Sequence, residues 1–151
     1  MYRAPATVGG RVEVNQPIAL PPTVAALAGR EVPGAAGRLR FVVPRTVAEL
    51  AEWGRRLHNC IGGFGRAVHE GRSWLLGIEC GDRLAYCIEV TPAGGVRQFL
   101  ADHNRQVPRR DALAVVEALA DAGLVDRTAP HNAPWFEPVA LPRADGRRAA
   151  Y

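Results

Sequence analysis

The segment from Ser73 to Ala101 constrains the fold more than any other. Three apolar runs, Ser73–Cys80, Arg83–Val90 and Val96–Ala101, are separated only by Gly81-Asp82 and by a short turn containing Gly94-Gly95. Runs of this length and composition, bounded by Gly and Asp, read as strands. Glycine supplies the positive φ that tight turns require. Two such turns in succession predict an antiparallel β-meander. In the middle run Leu84, Tyr86, Ile88 and Val90 alternate with the other positions, as residues on one strand face do.

The flanking sequence adds helices. Arg38 to Val43 reads as a further strand, with Leu39, Phe41 and Val43 alternating and Pro44 ending it. Thr46 then stands as an N-cap with Glu49 three residues on, the spacing of a capping box. The helix runs from about Val47 to Leu57. Leu50, Trp53 and Leu57 share one face, and Gly54 is tolerated inside it. A short helix through Ala67 to Glu70 is ended by Gly71. Asp111 reads as the N-cap of a helix reaching about Ala122, with Leu113, Val116, Leu119 and Ala120 on its apolar face and Gly123 as its stop. The expected class is α+β: a three- or four-stranded antiparallel meander with two main helices packed on one face.

The expected organisation has three parts. Residues 1–37 form a Pro/Gly-rich, loosely structured arm. It carries a short alternating run at Arg11–Val14 and a turn or two of helix at Thr23–Ala28, stopped by Gly29. Residues 38–125 are the α+β domain. Residues 126–151 are a Pro/Arg-rich tail whose only large anchors, Trp135 and Phe136, are expected to fold back onto the core. The last dozen residues are expected to be disordered. A chain of 151 residues that is 48% hydrophobic and 23% charged suits one domain with its own core.

Composition narrows the function classes. An odd cysteine count (Cys60, Cys80, Cys87) argues against a disulfide framework. Met1–Gly10 lacks the apolar stretch of a signal peptide, and no segment approaches the ~20 apolar residues of a membrane span. The expected location is the cytoplasm, with reduced thiols and no membrane contact. The net charge is +4, and all 19 basic residues are Arg. Codon bias in a GC-rich genome accounts for that usage as well as phosphate recognition does. The charge permits nucleic-acid binding without requiring it.

Chemistry concentrates in Leu57-His58-Asn59-Cys60-Ile61-Gly62-Gly63-Phe64. A thiol at the start of a short helix, beside an imidazole, is stabilised as thiolate and so becomes a nucleophile. His58 or His103 is the candidate base. Asn59 or Asn104 would orient the imidazole, and the backbone at Gly62 and Gly63 would offer oxyanion donors. The plainer reading makes Cys60 a small buried hydrophobe at a helix junction. Glu89, within an apolar strand, either faces solvent or faces inward with a partner such as Arg97 or His58. Zinc ligation by His58 and Cys60 with Cys80, Cys87 or His103 has the right ligand types but no standard spacing, because there is no Cys-x-x-Cys. Cys80 and Cys87 read as packing residues. No metal or other cofactor is called for. Arg105, Arg109 and Arg110, with Asn104 beside them, and Arg66 near the central motif, form a candidate basic surface with aromatic rings at hand.

From Phe41 to Val125 the chain resembles the C-terminal domain of PcfJ-like proteins of conjugative plasmids and phages. The resemblance rests on Pro44-Arg45-Thr46, Glu49-Leu50, Gly54, Leu57-His58-Asn59-Cys60-Ile61-Gly62 and Phe64. It continues through Gly71, Ala85-Tyr86-Cys87-Ile88-Glu89-Val90, Gln98 and His103-Asn104-Arg105. Ala101-Asp102 departs from it, where a Gly and a basic residue would precede the Asn. The long N-terminal region of many such proteins has no counterpart, which suggests a minimal version. The resemblance implies an accessory protein of a mobile element and transfers no reaction. Three functions stay open: binding of nucleic acid or a protein–nucleic-acid complex; thiol-dependent hydrolysis or transfer through Cys60; and protein interaction through the N-terminal arm or the C-terminal tail. The oligomeric state is not legible.

Overall fold

The computed structural model describes residues 7–8, 11–12, 16–59, 61, 67–68 and 70–137. Strands β1 (Thr7–Val8) and β2 (Arg11–Val12) pair as a short ribbon. The main sheet holds β3 (Glu31–Pro33), β4 (Arg38–Val42), β5 (Trp74–Cys80), β6 (Arg83–Val90) and β7 (Val96–Ala101), all antiparallel and hydrogen-bonded in chain order. The described helices are α1 (Pro22–Ala25), α2 (Val47–Leu57), α3 (Arg109–Asp121) and α4 (Ala133–Phe136). Among the described residues, no helix is long and apolar enough to cross a membrane.

The fold is α+β, with two corrections of detail. The sheet has five strands rather than three or four, because Glu31–Pro33 pairs with β4. The long helices pack on opposite faces of the sheet, not on one. Val115, Val116 and Leu119 of α3 lie in a core with Phe41, Ile78, Ile88 and Phe99, together with Val24 of α1. Leu50, Trp53 and Leu57 of α2 lie in another, with Leu75, Leu84 and Cys87. Each fully buried Leu or Phe adds about 1.5–3 kcal/mol of transfer free energy, so the sheet is secured from both sides.

Bulges decide which residue faces which helix. Glu79 pairs with Leu84 and Ile78 with Tyr86, so Ala85 is an extra residue in β6. One extra residue inverts the alternation. Tyr86, Ile88 and Val90 therefore join the α3 core, whereas Leu84 crosses to the α2 core. Glu89 pairs with Gln98 in the regular register of β6 and β7, and a second shift, between Glu89 and Val90, leaves Arg97 as the extra residue in β7. Gly77 faces α2. A Cβ there would come within 2.6 Å of Val42 and 3.2 Å of Trp53, so the bare backbone admits the indole.

The ends of α2 follow from local chemistry. Thr46 Oγ1 accepts the Glu49 N–H (3.2 Å), and the Glu49 carboxylate reaches back to the Arg45 N–H (2.8 Å). Helix α3 starts at Arg109, directly after Pro108, so Asp111 is not its N-cap. Asp111 is instead buried, accepting the Ala35 N–H (2.8 Å) and the Tyr86 hydroxyl (2.5 Å). Burial, and then this bond, push the Tyr86 phenol well above its usual range.

The Pro/Gly-rich N-terminal stretch is not loose where it is described: Ile18, Val24, Leu27 and Val32 are all buried. The described part of the tail, residues 126–137, lies back on the sheet. Trp135 tilts against Phe99 (5.8 Å), and the Arg127 guanidinium covers Phe136 (4.9 Å). Asn132 is fully buried. It accepts the Val96 N–H (3.1 Å) and donates to the Gly94 and Asp126 carbonyls (both 2.8 Å). At the other end of β7 the Ala101 N–H donates to the Arg105 carbonyl (2.8 Å). The expectation of a disordered C-terminal dozen lies outside the described residues.

Candidate functional site

Two tripeptides meet where α2 ends and β7 ends: Leu57-His58-Asn59 and Asp102-His103-Asn104. The Asn59 N–H bonds to the Gly54 carbonyl (3.1 Å) and the His58 N–H to the Arg55 carbonyl (3.4 Å), the paired bonds of a Schellman stop. That stop requires a left-handed residue, normally Gly, and here it is His58 (φ 48°). His103 (φ 56°) and Asn104 (φ 59°) are also left-handed. Among the described residues these are the only non-glycine residues with positive φ. A side chain in this region costs roughly 1–2 kcal/mol.

The strained turns bring both imidazoles to one carboxylate. His58 Nδ1 is 2.9 Å and His103 Nδ1 is 3.0 Å from the same Asp102 oxygen. The rings stack 4.5 Å apart at an interplanar angle of 10°. The hydrogen bond to His58, then that to His103, holds the Asp102 carboxyl below the ordinary carboxylate range. All three side chains are about half exposed.

On the inner side of this cluster, Asn59, Ile61, Leu75, Cys87, Glu89 and Asn104 line a narrow crevice. Its volume, about 10 Å³, suits a single water. Glu89 faces inward and is 2% exposed. Its carboxylate accepts the Ser73 hydroxyl and the Gln98 amide (2.9 Å), with Arg97 at 3.9 Å. His58 is not its partner. Asn59 Oδ1 accepts the Ile61 N–H (3.1 Å), so its side chain braces the turn. Cys87 is buried in the α2 core, and burial raises its thiol well above the usual value. Cys80 packs toward the opposite core, so these two cysteines cannot share one metal. Cys60, Gly62, Gly63 and Arg66 lie outside the described residues.

On the outer side of the cluster runs a groove of about 480 Å³. Arg56 from the end of α2, Arg83 from the start of β6 and Arg105 from the loop after β7 line it with Tyr86, Asp102 and Pro108. None of the three guanidinium groups forms an ion pair among the described residues. The candidate basic set divides. Arg105 lines the groove, and Arg110 is exposed on α3. Arg109 is engaged by the tail, donating to the Pro134 and Glu137 carbonyls.

Asp102, Arg83 and Ser73 were not anticipated as site residues. The repeated His-Asn pair, at 58–59 and 103–104, was the available signal for Asp102: two like turns that meet need a group between the rings. Nothing local marks Arg83, which reaches the groove only because β6 is central.

A family model described as PcfJ-like protein matches residues 26–116. No curated protein and no solved structure matches the chain.

Proposed function

The chain belongs to the PcfJ-like protein family, and from that premise we propose that it is a nucleic-acid-binding accessory protein of a mobile genetic element. One observation carries the reading: three guanidinium groups that form no ion pair among the described residues, on Arg56, Arg83 and Arg105, converge on a single groove. Many other Arg side chains are paired, as Arg38 is with Glu31, Arg40 with Glu79 and Arg127 with Glu117, and the described ones that form no ion pair elsewhere, such as Arg30, Arg45 and Arg110, do not line this groove. Unpaired, forked donors in a concave surface suit a phosphate backbone. Tyr86 and Pro108 give the groove apolar surface against which bases can rest. Arg109 takes no part in this reading, because the tail occupies it.

The test is a fluorescence-anisotropy titration of labelled single-stranded DNA, duplex DNA and RNA across a salt series. Binding is expected to weaken as salt rises. Arg56→Ala, Arg83→Ala and Arg105→Ala are each expected to lower the log–log salt slope by about 1. A triple variant that binds as the unaltered chain does would remove the groove from consideration.

A further inference from the structure

We propose that His58, Asp102 and His103 form a binding site for one divalent transition-metal ion of the zinc, cobalt or nickel class. The donor atoms of these three side chains all lie within 4.8 Å of one another. The two imidazole Nδ1 atoms stand 2.9 and 3.0 Å from one Asp102 oxygen. In a tetrahedral site with bonds of about 2.0–2.1 Å, neighbouring ligand atoms are about 3.3 Å apart. The third separation, between the two Nδ1 atoms, is no more than 4.8 Å, so seating an ion requires the two rings to turn out of their stack until both nitrogen lone pairs converge on it.

The donor set selects the ion. Two imidazoles with one carboxylate suit zinc, cobalt and nickel better than magnesium or calcium, which prefer all-oxygen shells. Three protein ligands leave at least one coordination position open, as in reactive rather than structural sites. Asp102 also lines the arginine groove, so that position lies next to the groove.

Packing alone does not account for the arrangement. Each histidine occupies a left-handed position that glycine would fill without strain. The rings lie face to face at 4.5 Å with both Nδ1 atoms turned to the same oxygen. One carboxylate can orient one imidazole at little cost. Two imidazoles on one oxygen, each in a strained turn, make sense when a single ion draws on all three donors. The inference rests on these side chains and does not require the nucleic-acid reading.

The experiment is a Co²⁺ titration of the full chain, read by its visible d–d absorption, with Zn²⁺ displacement followed by calorimetry. One saturable equivalent is expected. His58→Gly and His103→Gly remove a ligand while relieving the backbone. They are expected to keep or raise the denaturation midpoint and to weaken Co²⁺ binding by about 100-fold or more, since outer-shell partners alone carry about 10–100-fold. His131→Ala, which alters a histidine outside the cluster, is expected to leave binding intact. No saturable 1:1 spectrum in the unaltered chain would overturn the proposal, as would glycine variants that fold and bind Co²⁺ as the unaltered chain does.

Discussion

On the α3 side of the sheet, apolar side chains from α1, α3 and all five strands form a core around Phe41 and Ile88, and the buried polar groups there serve only to tie segments together. Asp111 joins the β3–β4 loop to Tyr86, and Asn132 joins the tail to β7. On the α2 side the apolar wall is smaller and gives way at its rim to Glu89, two stacked imidazoles and three left-handed residues. The first face contains interactions that each lower the free energy of the fold. The second contains conformations that raise it. Strain persists where the surrounding structure outweighs it, and it concentrates where a protein binds or reacts.

Substitutions can break or sharpen this contrast. The largest effect is expected on the α3 face. Leu119→Ala should cost about 2–5 kcal/mol in urea denaturation by opening a cavity, while nucleic-acid and Co²⁺ binding of the folded fraction stay unchanged. Asn132→Ala comes next. It strands the Val96 N–H and two carbonyls, at about 1–3 kcal/mol for the unsatisfied groups, and a loss below a few tenths would show that the tail is not anchored there.

His58→Gly reverses the sign. Relief of the left-handed turn favours the folded state by about 1 kcal/mol, less the entropy glycine adds to the unfolded chain, so a rise of several tenths is expected in urea denaturation of the same variant that the Co²⁺ titration uses. A clear fall in stability would mean that the imidazole secures the fold, and the contrast between the two faces would narrow.

The smallest effect is electrostatic. The Arg127 bond holds the Glu117 carboxyl below its usual range, and the Thr128 bonds do the same for Asp126. Their folded values lie below the unfolded ones. Their stabilisation is therefore present above about pH 4 and lost as pH falls through the folded values. Both groups are solvent-exposed, so Glu117→Gln and Asp126→Asn should flatten the acid limb of a midpoint-versus-pH curve only slightly.

Legibility followed locality. Helix α2 spans Val47–Leu57 as its cap and spacing predict, and β6 and β7 keep their expected bounds, because turns and caps are encoded within a few residues. Opposite-face packing was less visible, although Leu75-Leu76 in β5 carries apolar residues on both sides, the pattern of a strand covered twice. The Ala85 bulge moved Leu84 to the other core, and no local residue type announces a bulge. In the Pro/Gly-rich stretch a helical turn is expected at Thr23–Ala28 and is found at Pro22–Ala25, but the burial of Val24 in that helix, Leu27 in the turn after it and Val32 in a three-residue strand is not legible, because elements so short show no apolar periodicity. At the site, His58, His103, Asn59, Asn104 and Glu89 were all singled out. Asp102, the carboxylate that the two imidazoles share, stands out in the sequence only as a departure from the family pattern.

The bonds at the two ends of β7 bear on solubility. This strand is an edge of the sheet, and a free edge is a template on which another chain can add a strand. Asn132 occupies the N–H at one end and the Arg105 carbonyl occupies the N–H at the other. On the opposite edge β3 is only three residues long and ends in Pro33, which has no N–H to offer. The tail that holds Asn132 thus also acts as a guard against strand-by-strand polymerisation, and a chain cut after Asp126 would expose the β7 edge to its neighbours.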